Sequence, residues 1–366
     1  LRVAIVGAGL AGLSCAHELE RLGFSPDIFE KRHRVGERFP NVETMAQSLH
    51  HAPRQDIFRY VREELHLPLS PANRISTFVM HGPREHAIIT GNLGYTTIRG
   101  HHDKSLETQL ARHIRSEIRY NQNPDVREMQ LEYDWVVVAT GDQEWSRQYG
   151  QWTPHIAYWI RGAVVSGDFN PSELHYFVNT RYAKTGYAMV SPFDARSASV
   201  GVGIPGSTAE EVDEYWQVFR DEAGGLWEKE QYEFKLEKFE SGQVLSPVQG
   251  NVMFIGNAGG FVDSMGITGQ CTSMASGIHA ARQMVLGDRS LERFFRRWRV
   301  YAQRIWRVRR AINAWTDTEM DTFVTACKHG VGSALASSPF NLLGPAGAVL
   351  GALPFYDDHS PGVGPD

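Results

Sequence analysis

A chain of 366 residues exceeds one ordinary domain and points to two lobes or one large α/β unit. Its composition, 42% hydrophobic and 22% charged, suits a soluble globular core, and a net charge of −5 excludes a generally basic nucleic-acid binder. Cys15, Cys271 and Cys327 are too scattered for a disulfide framework or a zinc site. The chain opens on an apolar strand and holds no uninterrupted run of about 18 apolar residues, so a cytoplasmic protein without a spanning helix is expected.

Val3–Val6 is a short β-branched run suited to a buried parallel strand. Gly7, Gly9 and Gly12 follow as G-x-G-x-x-G. The first allows a tight turn, the second a close approach of backbone to phosphate, the third close helix–strand packing. A helix with apolar Leu10, Leu13, Ala16 and Leu19 then runs to about Gly23. Its first N–H groups, at Leu10 and Ala11, and its dipole face a pyrophosphate. A second strand, residues 26–29, ends in Glu30, 18 residues after Gly12. A carboxylate there is placed to accept from ribose hydroxyls and to repel a 2′-phosphate. Strand, helix and acid in register make this a dinucleotide site, which the glycines alone would not.

After Arg38 come a helical stretch at 56–65 and alternating segments such as RISTFVM. Leu106, Leu110 and Ile114 mark an amphipathic helix. EYDWVVVATGD is a second buried strand, 135–139, ending in a turn at Thr140 and Gly141. From about 153 to 244 strand-like alternation dominates, with one helix starting near Ser207 under a Ser207-x-x-Glu210 capping box. GVGIPG at 201–206 repeats the glycine pattern, but Pro205 removes a donor and no acid-ended strand follows; strand end plus turn is the better account. NVMFIGNAGG is a third strand-to-glycine turn, leading into a helix at 272–286. The expected organisation is a discontinuous nucleotide-binding domain (1–48, 90–150 and 245–290), a β-rich substrate domain (49–89 and 151–244) and a helical region at 291–366.

The residues after Glu30, KRHRVGER, place Gly36 and Arg38 as in the E-x-x-x-x-x-G-G/E-R continuation of glutathione-reductase-type FAD proteins. That resemblance favours FAD over NAD. It implies Lys31 and Arg38 beside the cofactor, the arginine as a charge-assisted donor to phosphate. Four further segments resemble the geranylgeranyl reductase family, within the p-hydroxybenzoate-hydroxylase-like flavoproteins. RGHHD sets Arg99 and Asp103 at the R-x-x-F-D spacing, with His102 for Phe. VVVATGDQEWSR resembles the middle motif. FVNTRYAKTGYAMVSPF resembles the G-Y-x-W-x-F-P strand pair, with Met189 for Trp and Ser191 for Phe. FIGNAGGFVDSMGITGQ resembles the third FAD motif, with Gly256 and Asn257 for G-D, Ser264 for the proline, and 266–269 for T-G-E-G.

The resemblance implies an α/β fold: a glutathione-reductase-type FAD-binding Rossmann domain, an inserted β-rich substrate domain and a helical C-terminal region. It also implies that Gly266, Thr268 and Gly269 lie against the isoalloxazine, where backbone N–H groups stabilise charge on reduced flavin. Asn257 still accepts a hydrogen bond, without the charge of Asp.

No Ser-His-Asp order, HExxH or paired-carboxylate motif stands out, as suits cofactor-driven chemistry, and no catalytic residue is assigned. Gln47, His50 and His51 are acid/base candidates set against an ordinary packing or surface role. Cys271 suits a small buried residue better than a reactive thiol. With no second dinucleotide fold, electrons come from transiently held NAD(P)H or from a redox protein. The leading expectation is a reductase or dehydrogenase acting on a hydrophobic, isoprenoid or lipid substrate through flavin N5. The alternatives are a flavin monooxygenase using NAD(P)H and oxygen, and a non-enzymatic flavin redox module; the halogenase motif W-x-W-x-I-P is absent.

Leu291, Phe294, Phe295, Trp298, Tyr301, Ile305, Val308, Ile312 and Trp315 form one face of a helix that carries eight arginines. Either it packs on the nucleotide domain or it lies on anionic lipid as a peripheral membrane contact. The uncharged segment 330–356 is broken by Pro339, Pro345 and Pro354, so it caps an apolar channel or touches a bilayer without spanning it.

Overall fold

The computed structural model describes residues 1–37, 40–47 and 56–328, with the side chains of 236 and 237 excepted. From the N-terminus come β1 (Val3–Val6), α1 (Leu10–Arg21), β2 (Asp27–Glu30), β3 (Asn41–Ala46), α2 (Ile57–Glu63), β4 (Asn73–His81), β5 (His86–Arg99) and α3 (Leu106–Ala111). Then follow β6 (Ile118–Tyr120), α4 (Val126–Glu132), β7 (Trp135–Val138), α5 (Glu144–Gln148), β8 (Trp152–Ser166), β9 (Glu173–Phe177), α6 (Thr180–Ala183), β10 (Tyr187–Pro192) and β11 (Ser197–Pro205). The chain continues through α7 (Ala209–Ala223), β12 (Lys229–Val244), β13 (Val248–Gln249), β14 (Val252–Phe254), α8 (Gln270–Leu286), α9 (Ser290–Ile312) and α10 (Asp317–Lys328).

A six-stranded sheet has the order β13–β14–β7–β1–β2–β6 and is parallel apart from the β13–β14 hairpin. Its central strands are continuous apolar runs because both faces are covered. Leu13 and Leu19 of α1 and Ile278 of α8 fill one side with Ile5 and Val137. Tyr133, Trp145 and Phe254 fill the other with Ala4 and Val136. The three strand-to-turn junctions all open at the same end of β1, β7 and β14, where a parallel sheet binds its ligand.

The second sheet has the order β12–β8–β11–β10–β9–β4–β5–β3, antiparallel except for β4–β9. Strand alternation gives it two unlike faces. Phe177 and Val202 point at α7, against Trp216 and Phe219. Tyr176, Tyr187 and Met189 point the opposite way, into a cavity.

This sheet claims more of the chain than the sequence pattern suggests. β3, and all of β5, belong to it, so 41–46 and 90–99, expected among the nucleotide-binding segments, pair within the larger sheet and not within the six-stranded one. The reason is local: β5 runs unbroken for 14 residues and pairs with β4 on one side and β3 on the other. Gly94, at φ +123°, lets β3 come close; a Cβ there would stand 2.2 Å from the Met45 carbonyl oxygen. The α7 capping box is also displaced by one residue. Thr208 Oγ1 accepts from the Glu211 N–H (3.3 Å) and the Glu211 carboxylate accepts from the Thr208 N–H (3.1 Å), in place of Ser207 and Glu210. GVGIPG runs as the end of β11 and the turn after it.

The apolar face of α9 is buried against α8 and Phe261, with Trp298 Nε1 donating to the Gly260 carbonyl (2.6 Å). What α9 offers to solvent is chiefly arginine: Arg293, Arg296, Arg297, Arg299 and Arg304. α10 is pinned to the β4–β5 turn, where Asp321 accepts from the Arg84 and Glu85 N–H groups (2.9 and 3.1 Å) and from Arg84 Nε (2.7 Å). Among the described residues no helix is long and apolar enough to cross a membrane. Segment 330–356 lies outside the described residues.

Candidate active site

The turn after β1 forms a cradle. Gly7 has φ +108°, and a Cβ there would meet the Ala139 carbonyl oxygen at 2.4 Å, so β1 and β7 end in contact that only glycine permits. Gly9 caps α1 without any side-chain bond, which leaves the first N–H groups of the helix without intrahelical acceptors. Glu30, at the end of β2, accepts from the Ala8 N–H (2.9 Å) and the Arg32 N–H (3.0 Å). Its carboxylate is thereby fixed at the rim of the cradle with acceptor capacity left over. Opposite, Thr140 Oγ1 donates to Asp142 Oδ1 (2.9 Å), and Lys31 Nζ reaches Asp142 Oδ2 (3.2 Å).

Asn257 follows β14. Its Nδ2 donates to the Gly141 carbonyl (3.1 Å) and the Glu240 carbonyl (3.3 Å), which fixes the orientation of the amide. Its Oδ1 is left buried with no partner among the described residues. A buried acceptor of this kind calls for a hydroxyl or N–H donor from a bound molecule. That acceptor, the bare helix N-terminus and the space beside Gly9 fit an FAD pyrophosphate and its ribityl chain.

The loop 263–269 is tied by one residue that nothing in the sequence singled out. Asp263 accepts from the N–H groups of Met265 (2.8 Å) and Gly266 (3.0 Å) and from the Thr268 hydroxyl. Burial raises its pKa, against these donors. Ile267 has φ +51°, a strained value for a β-branched residue, held by that closure. An Asp two residues before the backbone N–H it binds is the only local signal that could have found it. Ser264 hydrogen-bonds with His155 Nδ1 (3.0 Å) and Ser241 Oγ (3.2 Å).

Beyond the loop the cavity widens between the second sheet and the C-terminal helices. Its whole volume is about 660 Å³. Tyr187 Oη donates to the Gly266 carbonyl (3.2 Å) and Tyr158 Oη to the Met265 carbonyl (3.1 Å). Burial raises the pKa of Tyr158 to about 12 and that of Tyr187 well above its usual value, so both phenols stay protonated. Met189 lines the chamber, while Ser191 is buried behind it.

The expected site residues converge. Gly7, Gly9, Leu10 and Ala11 line the cavity from the turn after β1 and the start of α1; Glu30 and Lys31 line it from the end of β2 and the residue after it. Arg99, Thr140 and Gly141, then Gly256 and Asn257, and finally Gly266, Thr268 and Gly269 complete it. Gly12 lies beneath it, in the helix–strand contact. Arg38, His50 and His51 lie outside the described residues. Gln47 is buried and accepts from the Ile57 N–H (3.1 Å), a packing role. Cys271 is buried, and burial raises its pKa to about 12, so it is no thiolate. Asp103 is at the surface, 4.0 Å from Arg112.

Glu43, which no motif contains, and Gln270, the last residue of the third-motif segment and given no role there, also line the cavity. Gln270 Nε2 donates to Glu43 (2.7 Å) and its Oε1 accepts from Thr97 (2.8 Å), joining α8 to β3 and β5 at the cavity wall.

His155 gives a pH prediction. Burial lowers its pKa from 6.5 to about 4, and its ring stacks on Trp306 at 5.1 Å. The unfolded chain therefore takes up a proton that the folded chain refuses. Stability from this group is complete above about pH 6.5 and is lost as pH falls toward about 4. His155→Phe is expected to remove about 2–3 kcal/mol of that acid sensitivity. Urea midpoints at both ends of the window measure it, and an unchanged pH slope would sink the claim.

A model of the NAD(P)-binding Rossmann-like domain matches residues 5–61. Digeranylgeranylglycerophospholipid reductase 2 of Methanothermobacter thermautotrophicus is 25% identical over 370 residues, covering 88% of this chain and 90% of that protein. A geranylgeranyl bacteriochlorophyll reductase-like protein from Thermoplasma acidophilum superposes with a TM-score of 0.71 at 18% identity, over 94% of this chain and 95% of its own. The p-nitrophenol 4-monooxygenase of Pseudomonas putida DLL-E4 gives a TM-score of 0.64 at 14% identity, over 92% and 98%. With the cradle and the orphaned Asn257 oxygen, these likenesses make the chain an FAD-dependent oxidoreductase of geranylgeranyl reductase-like fold.

Proposed function

We propose that the chain is a reductase or dehydrogenase that acts on a hydrophobic substrate of isoprenoid or lipid type. The observation that carries this is one continuous cavity. It runs from the glycine cradle past the 263–269 loop into a chamber walled by Tyr176, Met189, Phe234, Ile312, Trp315 and Phe323. The archaeal relative is named a reductase, which favours reduction over oxygenation.

In this reading the strands of the six-stranded sheet form a discontinuous FAD-binding domain, the larger sheet is the substrate domain, and α9 with α10 closes the chamber. Gly7, Gly9, Leu10 and Ala11 hold the pyrophosphate through backbone N–H groups, with Gly12 packing the helix beneath. Glu30 accepts from the ribose hydroxyls, and Lys31 and Arg38 add charge at the phosphates. Thr140, Gly141, Gly256 and Asn257 take the central part of the cofactor, with Arg99 at the wall; Gly266, Thr268 and Gly269 lie against the ring. Bound FAD supplies hydride transfer at N5. The apolar walls exclude water and align the substrate, and the protonated tyrosines anchor the loop.

The deciding experiment mixes anaerobic, dithionite-reduced holoenzyme with geranylgeranyl phosphate. The expected result is return of oxidised-flavin absorbance with a product two hydrogens heavier for each bond reduced. No anaerobic reoxidation, combined with oxygen-dependent NAD(P)H consumption stimulated by an aromatic compound, would assign the monooxygenase reading instead. Anaerobic bleaching by NADPH tests the donor: rapid bleaching indicates a nucleotide, and none a redox protein.

A further inference from the structure

Arg309 is the charged group that the chamber does not explain. It stands on α9 between Val308 and the chamber-lining Ile312, lines the cavity itself, and is only 2% exposed. Its described partners are all neutral. Nη2 donates to the Thr185 carbonyl (2.7 Å) and hydroxyl (2.9 Å), and Nε donates to Asn313 Oδ1 (2.7 Å). The guanidinium lies 6.0 Å from the centre of the Tyr158 ring. Tyr158 and Tyr176 do not compensate it, because burial keeps both phenols protonated. Asp263, the buried carboxylate of the neighbouring loop, is committed to that loop's N–H groups and to Thr268. Among the described residues no carboxylate is a hydrogen-bond or ion-pair partner of Arg309.

A buried cation without a counter-charge is costly, and a guanidinium cannot escape the cost by losing its proton. Removing the charge from the protein is one remedy; supplying the anion with the ligand is the other. Thr185 and Asn313 hold Arg309 at Nη2 and Nε, so its orientation is set before any ligand arrives. Tyr158 links the site to the 263–269 loop through its bond to Met265, so the guanidinium lies one ring away from the loop that flanks the flavin.

We propose that Arg309 is the anchor for an anionic head held inside the chamber, and that the substrate is a long apolar chain ending in a carboxylate or phosphate. This rests on the chamber being the substrate site. The head pairs with the guanidinium in a water-poor setting, where charge-assisted hydrogen bonds are strong. The chain lies along Met189, Ile312, Trp315 and Phe323.

The test titrates FAD-loaded enzyme, below micelle concentrations, with oleate, oleyl phosphate and oleyl alcohol. Binding is read from the perturbation of the flavin absorbance. At least one anionic probe is expected to bind about 10-fold or more tightly than the alcohol, and the preferred anion identifies the head. Arg309→Gln is expected to abolish the preference while the alcohol still binds; Arg309→Lys should retain part of it. Equal affinities in the wild type, or a preference that survives Arg309→Gln, overturn the proposal. The wild-type comparison needs no variant, so a misfolded Arg309→Gln does not blunt it. If the alcohol binds and the anions bind no better, the anchor alone fails. If no probe binds although FAD is retained, the chamber reading fails and the anchor with it.

Discussion

Gly9→Ala is expected to strip FAD from a chain that still folds, whereas Gly12→Ala is expected to damage the fold itself. At Gly9 the backbone has φ −85°, open to any residue, and an added Cβ would find no atom within 4 Å. No described atom requires glycine there; in the proposed reading the empty space is where backbone comes up to a pyrophosphate. The methyl group should lower FAD affinity by about 10- to 100-fold, or roughly 1–3 kcal/mol of overpacking against the ligand. The apoprotein's urea midpoint should barely move. At Gly12 the same methyl would stand 2.0 Å from the Gly7 carbonyl oxygen and 3.2 Å from Ile5 Cγ2. Backbone must shift, and α1 must lift from β1, at a cost of about 3 kcal/mol or more. Flavin content per chain and the apoprotein midpoint separate the two variants. Full flavin content in Gly9→Ala would remove the cradle assignment, and equal destabilisation of both would show that Gly9 is only a packing residue.

Those two glycines show what was legible in the sequence. A strand, a turn that needs glycine, a helix and an acid form one local unit of about 30 residues, so the cradle could be read from Val3 to Glu30 without the rest of the fold. Pro205 exposed the false copy at 201–206 for the same local reason. What stayed hidden depends on distant segments meeting. β3 and β5 join the larger sheet because they pair with each other across some fifty residues, which alternation alone cannot show. Asp263 declares itself only when the loop closes on it. Arg309 was one of eight arginines on an amphipathic helix, and the expectation that these occupy the solvated face holds for most of them. It fails at Arg309 because α9 there passes over the Thr185 carbonyl and Tyr158, polar groups contributed by another part of the chain.

Arg99→Met is expected to cost about 3 kcal/mol of stability, in the absence of FAD as well as in its presence. Its Nε donates to Glu107 Oε1 (2.7 Å) and its Nη1 to Glu43 Oε2 (3.2 Å). Burial opposes its charge, but Glu107 and Glu43 outweigh burial and raise its pKa. Glu107 has a side chain only 7% exposed, and its second oxygen has no partner among the described residues. Removing the cation strands that carboxylate in the interior, which is the expensive way to break a buried pair. The damage should spread, because Glu43 also receives Gln270 at the start of α8, directly after the 263–269 loop. The resemblance suggested a place for Arg99 beside the cofactor, and it does line the cavity. Yet a guanidinium already engaged by two carboxylates acts first as a clamp between β5, α3 and β3. Urea unfolding of apoprotein and holoprotein decides between these roles. A loss confined to the holoprotein would make Arg99 a cofactor ligand, whereas a loss in both, partly relieved by adding Glu107→Gln, would make it the clamp. The second outcome is expected, since neutralising Glu107 removes the charge that Arg99→Met leaves uncompensated.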